Sequence, residues 1–429
     1  MAEINDIYKA FCDSTGISTD SRNCPDEAMF VALKGENFDG NKYVEEVLLK
    51  GAKYAITNNP NLAHLKNVFI VEDTLKTLQE LAQFHRRQLS FPIISITGTN
   101  GKTTTKELIN AVLSEKFKTK ATKGNFNNHI GVPLTLLSFT KEMAMGIVEM
   151  GANHIGEIGL LCAIAEPDYC IITNVGKAHL EGFGSFEGVK KAKGEMYDYA
   201  AKNDKLIFIN HENSHLQEMA TQNKLRFEFG RKTDIEVQLT NAAPFVKINW
   251  TDKQLNKEYN TSTNLIGAYN LENINAAIAI GRYFNISPEA INHAISSYQP
   301  TNNRSQFINS KNNRIIMDAY NANPSSMAVA LDNFNQIQEN KKWIILGGMK
   351  ELGNDSLSEH KKLIKTIDDC EFSKVLLIGD EFSGINGSYN HFSNNNDCIN
   401  FIKQNPPKEA YILIKGSRSN KLEELLPFL

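Results

Sequence analysis

A loop that can hold phosphate groups is the first segment of the sequence with recognisable chemistry. It follows the apolar run Pro92–Thr97 and precedes Lys102–Phe117, which carries apolar residues at helical spacing. In such a unit, glycines let backbone N–H groups converge on phosphate oxygens, a lysine adds positive charge, and a threonine hydroxyl can ligate Mg²⁺. The loop consists of Gly98, Thr99, Asn100, Gly101, Lys102, Thr103 and Thr104.

The spacing of this loop departs from the usual phosphate-loop pattern, because Ile96 stands where that pattern has its first glycine. A bare Gly-Lys-Thr is often a chance Gly-rich turn. The strand before the loop and the helix after it favour binding of a nucleoside triphosphate, with Thr103 as a Mg²⁺ ligand. Nucleotide binding alone leaves the reaction open.

Two side chains that follow predicted strands are candidate metal ligands. Glu149 ends the apolar strand Met145–Met150, and His179 follows the strand Tyr169–Val175. In parallel sheets, ligands bind beyond the carboxyl ends of the strands, so Glu149 is placed to hold a Mg²⁺ that bridges nucleotide phosphates. The alternatives are a strand-end glutamate in solvent and a structural histidine.

Lysines on the predicted helix Glu187–Tyr199 differ in their position relative to its apolar stripe. Lys193 lies four residues from both Val189 and Tyr197, at the edge of the stripe, whereas Lys190 and Lys191 are expected to be solvated. An ammonium near metal ligands would repel Mg²⁺. Carbamylation by CO₂ would turn Lys193 into an oxygen anion suited to a hard cation.

Composition limits the class of protein. The chain has 429 residues, 41% of them hydrophobic and 22% charged, which predicts a globular protein of two to four domains. A net charge of −3 argues against nucleic-acid binding. With no secretory signal and no long apolar run, we expect a cytoplasmic protein without a membrane segment. The scattered cysteines indicate reduced thiols.

The order of apolar runs indicates successive α/β domains. Short apolar runs alternate with a helical stretch from Thr19 to Asp73, and Asp73–Leu89 forms a helix that leads to a boundary. The strands of the next segment alternate with helices, as in a parallel sheet. Between Leu225 and Leu265 the segments RFEFG, IEVQLT and FVKINW alternate polar and apolar residues, which predicts an antiparallel insertion.

The last segment, from about Thr301, alternates strands and helices again. Within it, Ser393–Asp397 is predicted to be a polar loop. The fold class is therefore α/β in three domains. We expect a small N-terminal α/β domain at 1–85, a central P-loop parallel-sheet ATPase domain with a β-rich insertion at 86–300, and a C-terminal doubly wound Rossmann-like domain at 301–429.

Taken together, these residues resemble the motifs of the Mur ligases. The similar segments are T-G-T-N-G-K-T-T at the loop, E-M-G-A-N-H with Glu149, A-H-L-E-G-F-G-S with His179, and A-K-G-E-M-Y with Lys193. The resemblance implies ATP as cosubstrate. It also implies that Glu149 and His179 are Mg²⁺ ligands, and that Lys193 is carbamylated and serves as a further ligand. The implied catalytic residues are Lys102, His179, Lys193 and Arg304.

Further similar segments extend over nearly the whole chain and imply additional roles. The resemblance assigns Asn270 and Asp318 to adenine and ribose, and Arg304 to the phosphates. It places a uridine-nucleotide site in the N-terminal domain and a loop beside the reacting carboxylate. The implied substrate contacts are Ser21, Arg22, Lys34, Gly35, Asn125, Asn127, Asn128, Tyr320, Asn321 and Asn323.

Details such as A-L-K-G-E-N-F-D-G and Y-N-A-N are similar to the branch that joins D-alanyl-D-alanine to UDP-N-acetylmuramoyl-tripeptide through an acyl phosphate. The resemblance therefore implies these substrates and a monomer. Two departures from the family pattern concern the C-terminal contacts. Asn302-Asn303 precedes Arg304 where the family usually has a glycine, and Gly348 replaces a common aspartate in G-G-M-K-E-L-G. Another amide ligase, such as a folylpolyglutamate synthase, and a non-catalytic ATP-binding switch remain alternatives.

Overall fold

A computed structural model of the chain describes residues 2–176, 180–301 and 303–429. Successive α/β units carry the sheets, as the sequence predicts, and the predicted fold class is confirmed. The predicted domain limits at 85/86 and 300/301 stay a prediction. Within the ranges described, no helix is long and apolar enough to cross a membrane.

The N-terminal unit is built on a parallel sheet with the order β1-β2-β3-β4. Asp73 caps its last helix by accepting the N–H groups of Leu75 and Lys76 over 2.8 and 2.9 Å. The elements are α1 (Ile4–Cys12), β1 (Ile17–Ser18), β2 (Met29–Val31), α2 (Val44–Leu49), β3 (Tyr54–Thr57), β4 (Val68–Ile70) and α3 (Thr74–Arg87).

The central unit has a parallel sheet with the order β10-β9-β8-β5-β7-β6. Every residue of the apolar strand β5 is buried, because β7 and β8 flank it and helices cover both faces. The elements are β5 (Ile93–Thr97), α4 (Lys102–Ser114), β6 (Thr119–Ala121), α5 (Gly131–Leu137), β7 (Met145–Glu149), α6 (Glu157–Ala165), β8 (Tyr169–Ile172), α7 (Leu180–Phe183), α8 (Phe186–Lys202), β9 (Leu206–Asn210), α9 (Ser214–Met219) and β10 (Arg226–Phe229).

The antiparallel insertion is smaller than predicted. It contains β11 (Ile235–Asn241), β12 (Lys247–Asp252) and β13 (Lys257–Ser262), but RFEFG does not belong to it. Strand β10 pairs in parallel with β9 at the edge of the central sheet. Alternation of polar and apolar residues marks a half-buried strand whatever the direction of its partner, so the pattern misled the prediction. Helices α10 (Asn270–Tyr283) and α11 (Pro288–Ser297) complete the unit.

The C-terminal unit has the sheet order β14-β15-β19-β16-β17-β18, parallel except for the edge strand β14. The predicted polar loop Ser393–Asp397 is wrong from Asn395 onward, because Asn394 accepts the N–H of Asp397 and caps a helix there. The elements are β14 (Gln306–Asn309), β15 (Arg314–Asp318), α12 (Pro324–Asn335), β16 (Lys342–Gly347), α13 (Ser356–Asp368), β17 (Lys374–Ile378), β18 (Asn390–Phe392), α14 (Asn395–Gln404) and β19 (Tyr411–Lys415).

A continuous apolar core joins the N-terminal unit to the central one. Residues of α1 and α3 pack with residues of α5, α6 and α8 in a single buried cluster. Polar contacts reinforce it: Arg86 of α3 forms an ion pair with Asp168 at 2.7 Å, and its Nε donates to the carbonyl of Ala165 over 3.0 Å. The N-terminal sheet is therefore held firmly against one face of the central unit.

Candidate active site

The phosphate loop lies at the carboxyl end of β5 and is shaped by two glycines. Gly98 and Gly101 have φ values of 144° and 77°, which favour glycine. A Cβ at Gly98 would lie 2.0 Å from Oγ1 of Thr173, and one at Gly101 would lie 2.4 Å from Oδ1 of Asn273. The loop thus needs glycine both for its backbone angles and for the close approach of its neighbours.

Lys102 begins helix α4 and folds back over the loop. Its Nζ donates to the carbonyl of Gly98 over 2.8 Å and to that of Thr99 over 3.1 Å. Burial lowers the pKa of Lys102, Glu149 opposes this effect, and the charge of Arg304 adds to it. The ammonium is already placed where phosphate oxygens would meet it.

Thr103 and Glu149 form the candidate metal site. The Thr103 hydroxyl donates to Oε2 of Glu149 over 2.9 Å, and Nδ2 of Asn127 donates to Oε1 over 2.9 Å. Glu149 is only 1% exposed, and its backbone N–H donates to Oγ1 of Thr122 over 2.9 Å. A carboxylate and a hydroxyl held together at a strand end are hard oxygen donors of the kind that Mg²⁺ prefers.

Lys106 is a functional candidate that sequence reasoning missed. It is completely buried, and its Nζ donates to the carbonyl of Thr122 over 2.6 Å. The same Nζ lies 2.9 Å from a Glu107 carboxylate oxygen and 3.9 Å from Glu149 Oε2. Its spacing of three residues from Thr103 puts both on one helix face, which was the available signal. Lys106 therefore supplies a fixed positive charge behind the candidate metal site.

Lys193 is buried, as its place on α8 predicts. It is 2% exposed, and its Nζ lies 5.3 Å from the ring centroid of Phe183. Burial, reinforced by the charge of Lys102, lowers its pKa from 10.5 to about 7. Its ammonium forms no ion pair with any residue that the structure describes. Because burial outweighs the opposing charges of Glu157 and Glu195, the Lys193 amine is poised to be neutral near physiological pH.

The neighbouring lysines of α8 only partly match the prediction. Lys191 is exposed, as expected. The prediction that Lys190 is solvated is wrong: its side chain is 12% exposed, because carboxylates of Glu187 and Glu218 pair with it at 3.5 and 2.9 Å.

The predicted ligand His179 lies outside the described residues.

A cavity of about 860 Å³ opens between the central and C-terminal units. This volume suits a nucleotide with part of a second substrate. Most predicted site residues line it: Thr99, Asn100, Gly101, Lys102, Thr103, Thr104, Asn125, Asn127, Asn128, Glu149, Asn270, Arg304, Asp318, Tyr320, Asn321 and Asn323. Residues on its wall that were not predicted include His129, Asn153, Glu157, Tyr269, Ser325 and Glu351.

The predicted N-terminal contacts are separate from this cavity, and Gly98 and Lys193 also lie outside its lining. Ser21 is buried, whereas Arg22, Lys34 and Gly35 are exposed on the N-terminal unit. Arg22 binds both carboxylate oxygens of Asp20 at 2.9 Å, and this lowers the pKa of Asp20 to about 2. The structure therefore does not bring the predicted uridine contacts to the phosphate loop.

Arg304 and Asp318 stand on the C-terminal side of the cavity. The guanidinium carbon of Arg304 lies 3.6 Å from the ring centroid of Tyr320, a cation–π contact that holds the guanidinium against the ring. Asp318 pairs with Lys415 at 2.5 Å and accepts the backbone N–H of Ser305 over 3.1 Å. Both Asp318 oxygens are therefore engaged by the protein, although this residue was predicted to contact ribose.

Protein partners also occupy the predicted adenine contact. Asn270 is 1% exposed; its Nδ2 donates to the carbonyl of Ile266 over 2.8 Å, and its Oδ1 accepts Nδ2 of Asn273 over 2.8 Å. This network packs the start of α10 against α4, because Thr105 Oγ1 also donates to Asn273 Oδ1 over 2.9 Å. Asn270 thus shapes the wall of the cavity.

The segment that lacks the common aspartate is held by its backbone. Met349 N–H donates to Nε2 of His360 and Lys350 N–H donates to Oγ of Ser417, each over 3.0 Å. A Cβ at Gly348 would lie 2.3 Å from Glu381 Oε2. The Glu381 carboxylate therefore occupies the space into which a side chain at 348 would point. In the other departure, Asn302 lies outside the described residues, whereas Asn303 has a φ of 58°.

Comparisons with known proteins agree with these features. The family model described as the Mur ligase middle domain matches residues 96–281. The model described as the Mur ligase glutamate ligase domain matches residues 303–418, and that of the Mur ligase family catalytic domain matches residues 13–86.

Similar proteins match over almost their whole length. The UDP-N-acetylmuramoyl-tripeptide–D-alanyl-D-alanine ligase of Bacillus subtilis is 35% identical over 425 residues, covering 96% of this chain and 92% of the relative. That of Escherichia coli is 31% identical, covering 96% and 92%. A crystal structure of MurF from Acinetobacter baumannii is 29% identical with a TM-score of 0.87, covering 99% of this chain and 97% of that one. This chain belongs to the Mur ligase family.

Proposed function

We propose that this chain joins D-alanyl-D-alanine to the peptide carboxylate of UDP-N-acetylmuramoyl-tripeptide, with hydrolysis of ATP. The observation that carries the proposal is the cavity itself: Lys102, Thr103 and Glu149 line one wall and Arg304 lines the other. The printed names of the B. subtilis and E. coli relatives support the choice of substrates.

The chemistry explains the need for ATP. A carboxylate is a poor acyl donor, because oxide is a bad leaving group. A carboxylate oxygen first attacks the γ-phosphorus of ATP, and ADP leaves with the electrons of the broken P–O bond. The dipeptide amine then attacks the acyl carbon, inorganic phosphate leaves, and the amine loses a proton. The product is an amide.

The cavity carries positively charged side chains where negative charge would develop during these steps. Lys102 would contact the phosphates from the loop, and Arg304, held by its cation–π contact with Tyr320, would contact them from the opposite side. Charged groups fixed in a site closed to water stabilise a transferring phosphoryl group without reorganisation. Asn125, Asn127 and Asn128 line the wall near Glu149 and would hold the reacting carboxylate. Tyr320 and Asn321 would contact other groups of the substrates.

The donors at Thr103 and Glu149 fit Mg²⁺. Among the described residues no group of three His, Cys, Asp or Glu side chains is placed to hold a metal, which agrees with a cation that takes only one or two carboxylates and completes its shell with phosphate oxygens and water. When bound, Mg²⁺ would offset charge on the nucleotide phosphates. His179 and a Lys193 carbamate would add further ligands.

Lys193 fits the carbamate because its amine is buried and its pKa is lowered to about 7. A neutral amine attacks CO₂, a C–N bond forms, and one proton leaves. The resulting carbamate would be an oxygen anion suited to ligate Mg²⁺. The N-terminal unit, with Ser21, Arg22, Lys34 and Gly35, would take the uridine nucleotide. A cytoplasmic monomer with domain limits at 85/86 and 300/301 is part of this proposal.

Phosphate release tests the proposed function directly. The purified chain is given ATP, Mg²⁺ and UDP-N-acetylmuramoyl-tripeptide with lysine or meso-diaminopimelate as the third residue, with and without D-alanyl-D-alanine. We expect stoichiometric phosphate and a ligated product only in the complete mixture, with one tripeptide preferred. Phosphate release that does not depend on the dipeptide would identify a nucleotide switch instead, and release with glutamate as acceptor would identify a different amide ligase.

A further inference from the structure

We infer that Asn323 is a positioning residue that latches the C-terminal unit onto the phosphate loop. Its Nδ2 donates to Oδ1 of Asn100 over 3.0 Å. Asn100 belongs to the loop between β5 and α4, and Asn323 directly precedes α12. Among the described residues, this is the only hydrogen bond that joins the loop 98–104 to residues 303–429.

Helix α12 fixes the orientation of the Asn323 amide. Its Oδ1 accepts the N–H of Ser326 over 2.8 Å, while Ser326 Oγ accepts the backbone N–H of Asn323 over 3.1 Å. These are the two bonds of a capping box. Because the carbonyl oxygen serves the cap, the amide nitrogen must point the other way, toward the loop. The same side chain therefore caps helix α12 and forms the hydrogen bond to the loop.

Asn100 presents its side chain from a backbone that is held on its other side. Its N–H donates to Oδ1 of Asn174 over 3.0 Å, and its carbonyl accepts Oγ1 of Thr173 over 2.7 Å and Nδ2 of Asn174 over 3.2 Å. These partners follow β8 in the central sheet. A rigid central unit thus offers one acceptor, Asn100 Oδ1, to the C-terminal unit.

The position of the latch suggests what it controls. Tyr320, Asn321 and Ser325, on either side of Asn323, all line the cavity, so the bond sets how closely this wall approaches the phosphate loop. This inference rests on the proposed ligase reaction, in which an acceptor amine must reach an acyl phosphate formed at the loop. Loss of the bond should therefore weaken use of the acceptor more than binding of the nucleotide.

Two variants remove the bond from opposite ends. Asn323→Ser keeps a residue favoured at helix starts but is too short to reach Asn100. Asn100→Ala removes the acceptor and leaves the helix cap untouched, so it tests the bond even if the first variant folds poorly. Asn333→Ala is the matched control: Asn333 Oδ1 accepts the N–H of Ala268 over 3.1 Å and so joins the same two units away from the loop.

In steady-state assays, each latch variant should raise KM for D-alanyl-D-alanine roughly 3- to 10-fold, the effect of one neutral hydrogen bond. The Kd of a non-hydrolysable ATP analogue should change less than about 2-fold in Asn323→Ser, and Asn333→Ala should resemble the parent. The double variant should be no worse than either single one, because both remove the same bond. Small-angle scattering should show the same expansion in all three latch variants.

Multiplicative effects of the two substitutions would overturn the inference, as would a weakened nucleotide Kd with an unchanged KM for the dipeptide. The second result would make Asn323 a nucleotide contact. An equal KM effect from Asn333→Ala would show that the loop bond is not special. If the parent protein releases no dipeptide-dependent phosphate, the proposed function fails, and scattering by the same variants still decides whether the latch holds the units together.

Discussion

Replacing Lys193 by alanine should abolish ligation, and added acetate should restore part of it. The substitution removes the amine that we propose becomes a carbamate, and it leaves a space beside Phe183 that a small carboxylate can enter. Loss of a metal ligand should cost at least about 100-fold in kcat, because even outer-shell partners of metal ligands are worth about 10- to 100-fold.

The lowered pKa of Lys193 determines how much of its amine is neutral and able to react with CO₂. With the ordinary value of 10.5, about one amine in 1,000 is neutral at pH 7.5; with a value of about 7, roughly three in four are neutral. Only the neutral amine reacts with CO₂, so the lowered pKa favours carbamylation of Lys193 over that of a surface lysine. Lowering the pH through 7 protonates the amine and should therefore reduce both carbamate and activity.

The assay is ¹³C NMR of enzyme equilibrated with ¹³C-bicarbonate, followed by turnover with and without acetate. A carbamate signal should appear in the parent and in Lys191→Ala, a matched control because that lysine is exposed on the same helix. Lys193→Met should lose the signal and resist acetate rescue, because its side chain fills the space. Full activity of Lys193→Ala in CO₂-free enzyme without acetate would refute the reasoning.

Three further perturbations test other parts of the site and fold. Lys102→Ala should lower kcat at least about 1,000-fold with an unchanged melting temperature, since the lysine acts on phosphates at a loop; near-normal turnover would contradict the phosphate-loop assignment. Glu149→Gln should raise the Mg²⁺ concentration for half-maximal activity about 10-fold or more, and an unchanged Mg²⁺ titration would remove Glu149 from the metal site. Burial lowers the pKa of His360, so below pH 6.5 the unfolded chain takes up a proton that the folded chain refuses; the urea midpoint should fall between pH 7 and 5, and less steeply in His360→Gln.

Local patterns were enough to predict most of the fold. The buried strand β5, the helix that starts at Lys102 and the helix that follows Asp73 were all visible as apolar runs and spacings. Pairing partners were not visible. RFEFG was assigned to the wrong sheet because alternation reports only that one face is exposed, and it does not show that the strand pairs in parallel with β9, from which α9 separates it. Strand direction is a long-range property that a local window cannot contain.

The candidate site was predictable where its residues belong to local motifs. It was less predictable where residues distant in the sequence contact each other. Thr103 and Glu149 were named separately, and their contact follows from parallel strands ending at one edge. No local pattern predicted that Asp318 would pair with Lys415. The spacing of Lys106 from Thr103 placed both on one helix face, but it did not indicate that Lys106 would be buried behind Glu149. A lysine in a helix is normally expected in solvent, and only the packing of β6 and β7 against α4 reveals that this one is covered.

The core that α1 and α3 share with α5, α6 and α8 determines which parts of the molecule unfold together. Surfaces that are buried together are lost together, so the three architectural units should behave as two cooperative blocks on heating. Calorimetry should show one transition for the N-terminal and central units and another for the C-terminal unit. A fragment limited to residues 1–85 would expose the apolar faces of α1 and α3 to water, and we expect it to aggregate rather than to fold alone.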